Sequence, residues 1–82
     1  MPTVMQFDGF RIVVYSDDHQ PAHVHAMGSG SEAVFRLHCP EGPPRLRENF
    51  GFSRQALRRI VVALTASLPG LCAAWRAIHG HI

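Results

Sequence analysis

The sequence predicts an α+β domain: a small antiparallel sheet of four to five strands, followed by a C-terminal helix or helix pair packed on one sheet face. Three observations predict it. Alternating segments rich in β-branched and aromatic residues fill the first half, glycine- and proline-bearing turns separate them, and apolar residues at helical spacing fill the end. Eighty-two residues suit a single domain, 1–82, with strands within 3–49 and the helical part within 53–79.

Residues 3–7 alternate and run into Asp8-Gly9, a two-residue hairpin signal. Residues 10–16, Phe-Arg-Ile-Val-Val-Tyr-Ser, read as a buried strand. A loop over 17–22 follows, its exit fixed by Pro21. In 23–27, Val24 and Ala26 point one way and His23, His25 and Met27 the other. After the turn Gly28-Ser29-Gly30-Ser31, residues 32–38 alternate again, with Ala33, Phe35 and Leu37 sharing a face. If the two apolar faces share a core, His23 falls beside Arg36 and His25 beside Val34. Cys39-Pro40-Glu41-Gly42-Pro43-Pro44 cannot pair as a central strand and is a loop. Residues 45–49 form a short polar edge strand, whose arginines would discourage edge-to-edge pairing.

Ser53 is a good helix N-cap, with Phe52 and Leu57 placed for a hydrophobic staple. Leu57, Ile60, Val61, Leu64, Leu68, Leu71, Cys72, Trp75 and Ile78 keep helical spacing. Pro69 would cost a continuous helix about 3 kcal/mol, so two helices broken near Ser67-Leu68 are expected, with Gly80 as the stop.

Net charge is +2 with 17% charged residues, too little to identify a nucleic-acid binder from composition. All eight basic residues are arginine, the side chain suited to bidentate phosphate or carboxylate contacts; genomic base composition is the plainer account. Low charge on so small a domain suits a surface partly covered by another subunit or protein. Cys39 and Cys72 have neither zinc-site spacing nor the density of a disulfide scaffold, and Cys72 is expected to pack in the core. No apolar run reaches the ~20 residues that span a bilayer, and residues 1–7 lack the pattern of a signal peptide. The expectation is a cytoplasmic protein without membrane contact.

The distinctive stretch is Asp17-Asp18-His19-Gln20-Pro21-Ala22-His23-Val24-His25, which holds three of the six histidines. Three readings of it stay open. His23 and His25, with α-carbons about 7 Å apart on one strand face, could chelate zinc with His19 or Asp17 as third ligand. Without metal, a histidine pair could act as general base and acid, with Arg36 stabilising phosphate charge and Tyr15 donating or orienting a proton. Or the histidines are amphipathic residues of a sheet face that binds a partner. Arg54 and Arg58, one helical turn apart, and Arg45 and Arg47 ahead of the helix oppose the helix dipole, which a phosphate backbone or acidic partner would offset. A solvated helix face is the plainer account of them.

The opening Met1-Pro2-Thr3, the acid-His-x-Pro-x-His-x-His core, and the Phe52-Ser53-Arg54 helix start with Ala74-Trp75 resemble a family of short bacterial proteins. That family is catalogued as domain of unknown function four-one-six-zero. Its usual double proline before the second histidine is Pro21-Ala22 here, and the loop over 39–44 also departs from it. Members are often encoded beside domain of unknown function two-four-four-two, in pairs that look like toxin–antitoxin modules. The resemblance therefore implies a toxin-like protein inhibited by a small antitoxin-like partner.

Together these readings lead to one expectation: a metal-independent ribonuclease toxin in which His23 and His25 exchange protons, His19 and Asp17 orient them, and Arg36 stabilises phosphate. It would require no cofactor. The alternative is a non-enzymatic module that binds protein, nucleic acid or zinc through the same face, in a homo- or hetero-oligomer. The regulatory half of such a pair is a third possibility.

Overall fold

In a computed structural model, residues 3–80 are described. Five strands, β1 (Thr3–Phe7), β2 (Phe10–Val13), β3 (His23–Gly28), β4 (Ser31–Arg36) and β5 (Arg45–Phe50), precede two helices, α1 (Arg54–Ala66) and α2 (Leu68–His79). The strands form one antiparallel meander in the order β1-β2-β3-β4-β5, so β3 is central. The α+β class and the order of elements agree with the sequence.

Period-two alternation sets the register. His23 lies opposite Arg36, Val24 opposite Phe35 and His25 opposite Val34, as the shared apolar face requires. That face places Ile12, Val24, Ala26, Ala33 and Phe35 in a core completed by Ile60, Leu64, Leu71 and Trp75 of the helices. Burying these side chains removes apolar surface from water at about 25 cal/mol per Å², which is what docks the helices on the sheet.

Two strands end sooner than alternation suggests. β2 stops at Val13 because the chain turns tightly at Tyr15–Asp18, where the Asp18 N–H donates to the Tyr15 carbonyl (3.1 Å). β4 stops at Arg36 because His38 takes a left-handed φ of 54°, although Leu37 still donates to the Ala22 carbonyl (3.0 Å).

Ser53 caps α1, its hydroxyl accepting from the Ala56 N–H at 3.1 Å. Ahead of it Asn49 clamps the connection, its side chain accepting from the Phe52 N–H and donating to the Phe52 carbonyl. The helical region bends by 78° between Ala66 and Leu68, with Pro69 in the first turn of α2, where a missing N–H costs nothing. Gly80 ends α2 with φ 81°. Among the described residues no single helix is long and apolar enough to cross a membrane.

The cysteines correct the expectation. Cys72 is buried in the core, but it is joined to Cys39 by a disulfide across 33 residues. Spacing could not reveal the pair, because only the turn into α2 carries Cys72 back to the loop after β4. The bond ties that loop to the second helix.

Candidate functional site

The histidine stretch builds a buried polar centre at the His23 end of the central strand. His23 and His25 point to the same side of β3. His23 is 6% exposed, the one buried polar residue among those described. Its Nδ1–H donates to the Pro21 carbonyl at 2.9 Å. The His25 Nδ1–H faces the Glu32 carboxylate at 3.1 Å. The other nitrogen of both rings turns to a single oxygen: Asp18 Oδ2 lies 3.4 Å from His23 Nε2 and 3.3 Å from His25 Nε2.

The turn after β2 presents that carboxylate. The Tyr15 N–H donates to Asp18 Oδ2 at 3.1 Å, closing the Tyr15–Asp18 turn from both sides. The Tyr15 ring meets the His25 ring edge to face at 4.6 Å. Burial, then the Glu32 and Asp18 carboxylates, raise the Tyr15 pKa above its ordinary value, so the phenol is a donor at neutral pH and not a base. From the other side Trp75 of α2 packs on His23 with ring centroids 5.2 Å apart, and His79 stacks on Trp75 at 3.9 Å. His25 Nε2, Trp75 Nε1 and His79 Nε2 are buried without a hydrogen-bond partner. For His25 this stands beside the 3.3 Å approach of Asp18: the oxygen is near but out of line for a hydrogen bond.

Sequence-derived candidates divide into three groups. Tyr15, His23 and His25 come together, as the alternation of β3 requires. His19 and Asp17 do not orient the pair. Asp17 is exposed, and His19 lines a cleft of about 370 Å³ with Asp18, Gln20, Trp75 and His79. The ligand set is corrected accordingly: Asp18, His23 and His25 each offer one donor atom, all within 4.8 Å of one another, in place of His19.

Arg36 stands opposite His23 but outside the centre, exposed and lining a depression with His38, Arg45, Leu46 and Arg47. Arg54 and Arg58 are exposed on α1, and Arg59 beside them pairs with Asp8 at 2.9 Å. Asp18 and Glu32 are the residues of this centre that the sequence reading did not single out. Asp18 was half-visible in the Asp-Asp pair, and Glu32 follows from register, since it stands opposite Met27, two residues from His25.

Fold and site thus define a small α+β domain with a carboxylate-bridged histidine pair. Residues 9–76 match the family described as Domain of unknown function (DUF4160), and the chain belongs to that family. No curated protein and no solved structure matches it.

Proposed function

We propose that this chain is the toxin-like member of a two-protein bacterial module and that it acts on single-stranded RNA at the Asp18–His23–His25 centre. The observation that carries the RNA reading is the row His23–Arg36–Arg45 across β3, β4 and β5. Arg36 and Arg45 are directly opposite one another, and among the described residues neither guanidinium has an ion-pair or hydrogen-bond partner. Like charges so placed cost roughly 0.2–1 kcal/mol. Guarding a sheet edge explains an arginine on β5 but not one on β4, which is paired on both sides. A phosphate between the two guanidiniums would offset the repulsion and lead a phosphodiester chain towards His23.

The test is binding of a single-stranded RNA against salt concentration. Wild type should bind, and Arg36→Gln or Arg45→Gln should lower the log–log salt slope by about 0.7 each, the contribution of one phosphate contact. Regulated bacterial expression then addresses the toxin: growth arrest with RNA cleavage, abolished in His23→Ala/His25→Ala, is expected. Normal growth with wild type would refute the toxin reading, and an unchanged salt slope the arginine track.

The partner half of the proposal draws on β5. That edge strand is exposed along its whole length and carries Leu46 (46% exposed) and Phe50 (61% exposed). Its free backbone groups and apolar side chains suit strand addition by a partner protein.

A further inference from the structure

We propose that Asp18, His23 and His25 form a binding site for a divalent transition metal, zinc by its donor set, with Glu32 and the Pro21 carbonyl as its supporting shell.

Hydrogen-bond chemistry fixes where the ring protons sit. A carbonyl oxygen only accepts, so the 2.9 Å contact to Pro21 requires the His23 proton on Nδ1. The Glu32 carboxylate places the His25 proton on Nδ1 in the same way, at 3.1 Å. With its proton on Nδ1, a neutral ring carries its lone pair on Nε2. Both Nε2 atoms lie close to Asp18 Oδ2, at 3.4 and 3.3 Å, and that oxygen is an acceptor too. Three acceptors converge on one small space, where the Tyr15 N–H donates to Asp18 Oδ2 at 3.1 Å and neither Nε2 atom brings a donor of its own.

Such a space is costly unless a positive centre fills it. A proton on His25 Nε2 fills it poorly, because His25 Nε2 and Asp18 Oδ2 are out of line for a hydrogen bond. A metal ion asks that the three donors aim at a common point about 2.0–2.2 Å from each of them.

The two carboxylate–imidazole distances fit such an ion. Tetrahedral zinc with ligands at about 2.05 Å has ligand–ligand edges of about 3.3 Å. The two carboxylate–imidazole edges are 3.4 and 3.3 Å, and all three donor atoms fall within 4.8 Å. Two imidazole nitrogens and one carboxylate oxygen select zinc and its first-row neighbours over magnesium or calcium, which prefer all-oxygen sites. The pattern beyond the ligands is also that of a metal centre. Imidazoles that bind metal through Nε2 donate Nδ1–H to a carboxylate or backbone carbonyl, which fixes the ring and raises its basicity. Here one histidine has each kind of partner. Both cysteines are in the disulfide and take no part.

Three protein ligands leave a fourth position, the arrangement of catalytic rather than structural zinc. Asp18 is also a wall of the cleft that His19, Gln20, Trp75 and His79 line, which places that cleft beside the centre. Bound zinc lowers the pKa of its water towards 7. The centre would then supply a hydroxide where the metal-free reading needs a free imidazole. The metal site stands on its own geometry and does not depend on RNA being the substrate.

The experiment is zinc titration of tag-free, metal-stripped, disulfide-intact protein, by calorimetry and by metal analysis after dialysis. One zinc per chain is expected. His25→Ala and Asp18→Asn should weaken binding by more than about 100-fold, and Glu32→Gln by roughly 10–100-fold, while His38→Ala leaves it unchanged. Cobalt in place of zinc should give the intense visible absorption of a four-coordinate site in wild type, a readout that no folding defect in a variant can confound. Absence of stoichiometric zinc in wild type, an octahedral cobalt spectrum, or equal affinity in a folded His25→Ala would overturn the proposal. None of these outcomes touches the salt-dependence test of the arginines, so the two readings fail separately.

Discussion

Breaking the Cys39–Cys72 bond is expected to be the most destabilising change available outside the apolar core. The perturbation is Cys39→Ser/Cys72→Ser, or reduction of the wild-type chain. The bond spans 33 residues. Closing a loop of that length removes roughly 12.5 cal/mol/K from the unfolded chain, or about 3.7 kcal/mol at 25 °C. A domain of this size has a total stability of about 4–12 kcal/mol, so the bond supplies a large share of it. At about 4–8 °C per kcal/mol, the melting temperature should fall by roughly 15–30 °C. Urea unfolding with and without reductant measures this, with circular dichroism as probe. A midpoint that reductant leaves unchanged would refute the reasoning and return Cys72 to a packing role. The bond also bears on where the chain works, because disulfides persist in oxidising surroundings and are rare in the cytosol. Mass analysis of protein alkylated in intact cells would show whether the pair is oxidised in its own compartment.

Two further outcomes follow from named contacts. Gly42 has φ +77°, and a Cβ there would sit 2.7 Å from Leu68 Cδ2, so Gly42→Ala should cost about 1–3 kcal/mol in urea unfolding; a cost below 0.5 kcal/mol would mean the loop re-forms freely. Tyr15, the chain's single tyrosine, gives a clean ultraviolet titration: its phenolate should appear only above pH 10.0 in the folded protein. Its folded pKa is raised by burial and by the Glu32 and Asp18 carboxylates, so the stability it contributes is complete below pH 10.0 and is lost as pH rises through the folded value. Titration at or below pH 10.0 would place the ring in water.

The fold was legible because its rules are local. Alternation over residues 23–36 set faces and register together, since a one-residue slip would turn Val24 and Phe35 outwards. Ser53, Pro69 and Gly80 marked the helix limits through capping and proline chemistry. The site was legible only where it followed the strand: His23 and His25 share a side by period two. Asp18 could not be told from Asp17, because which acid turns inward depends on the turn in which Asp18 bonds back to Tyr15. Trp75 and Cys72 reach the centre and the disulfide only through the 78° bend between the helices, a direction that apolar spacing does not encode. The Arg36–Arg45 pair needed the bulge between Val34 and Phe35 as well as the alternation, since the irregularity decides which β5 residue stands opposite Arg36.

Anomalous diffraction at the zinc edge, on crystals of tag-free protein grown with equimolar zinc, tests the centre most directly. One peak is expected about 2.0–2.2 Å from His23 Nε2, His25 Nε2 and an Asp18 carboxylate oxygen, with both Nδ1 contacts kept. No peak there, or zinc held instead by His19, His38 or His79, would contradict the proposal.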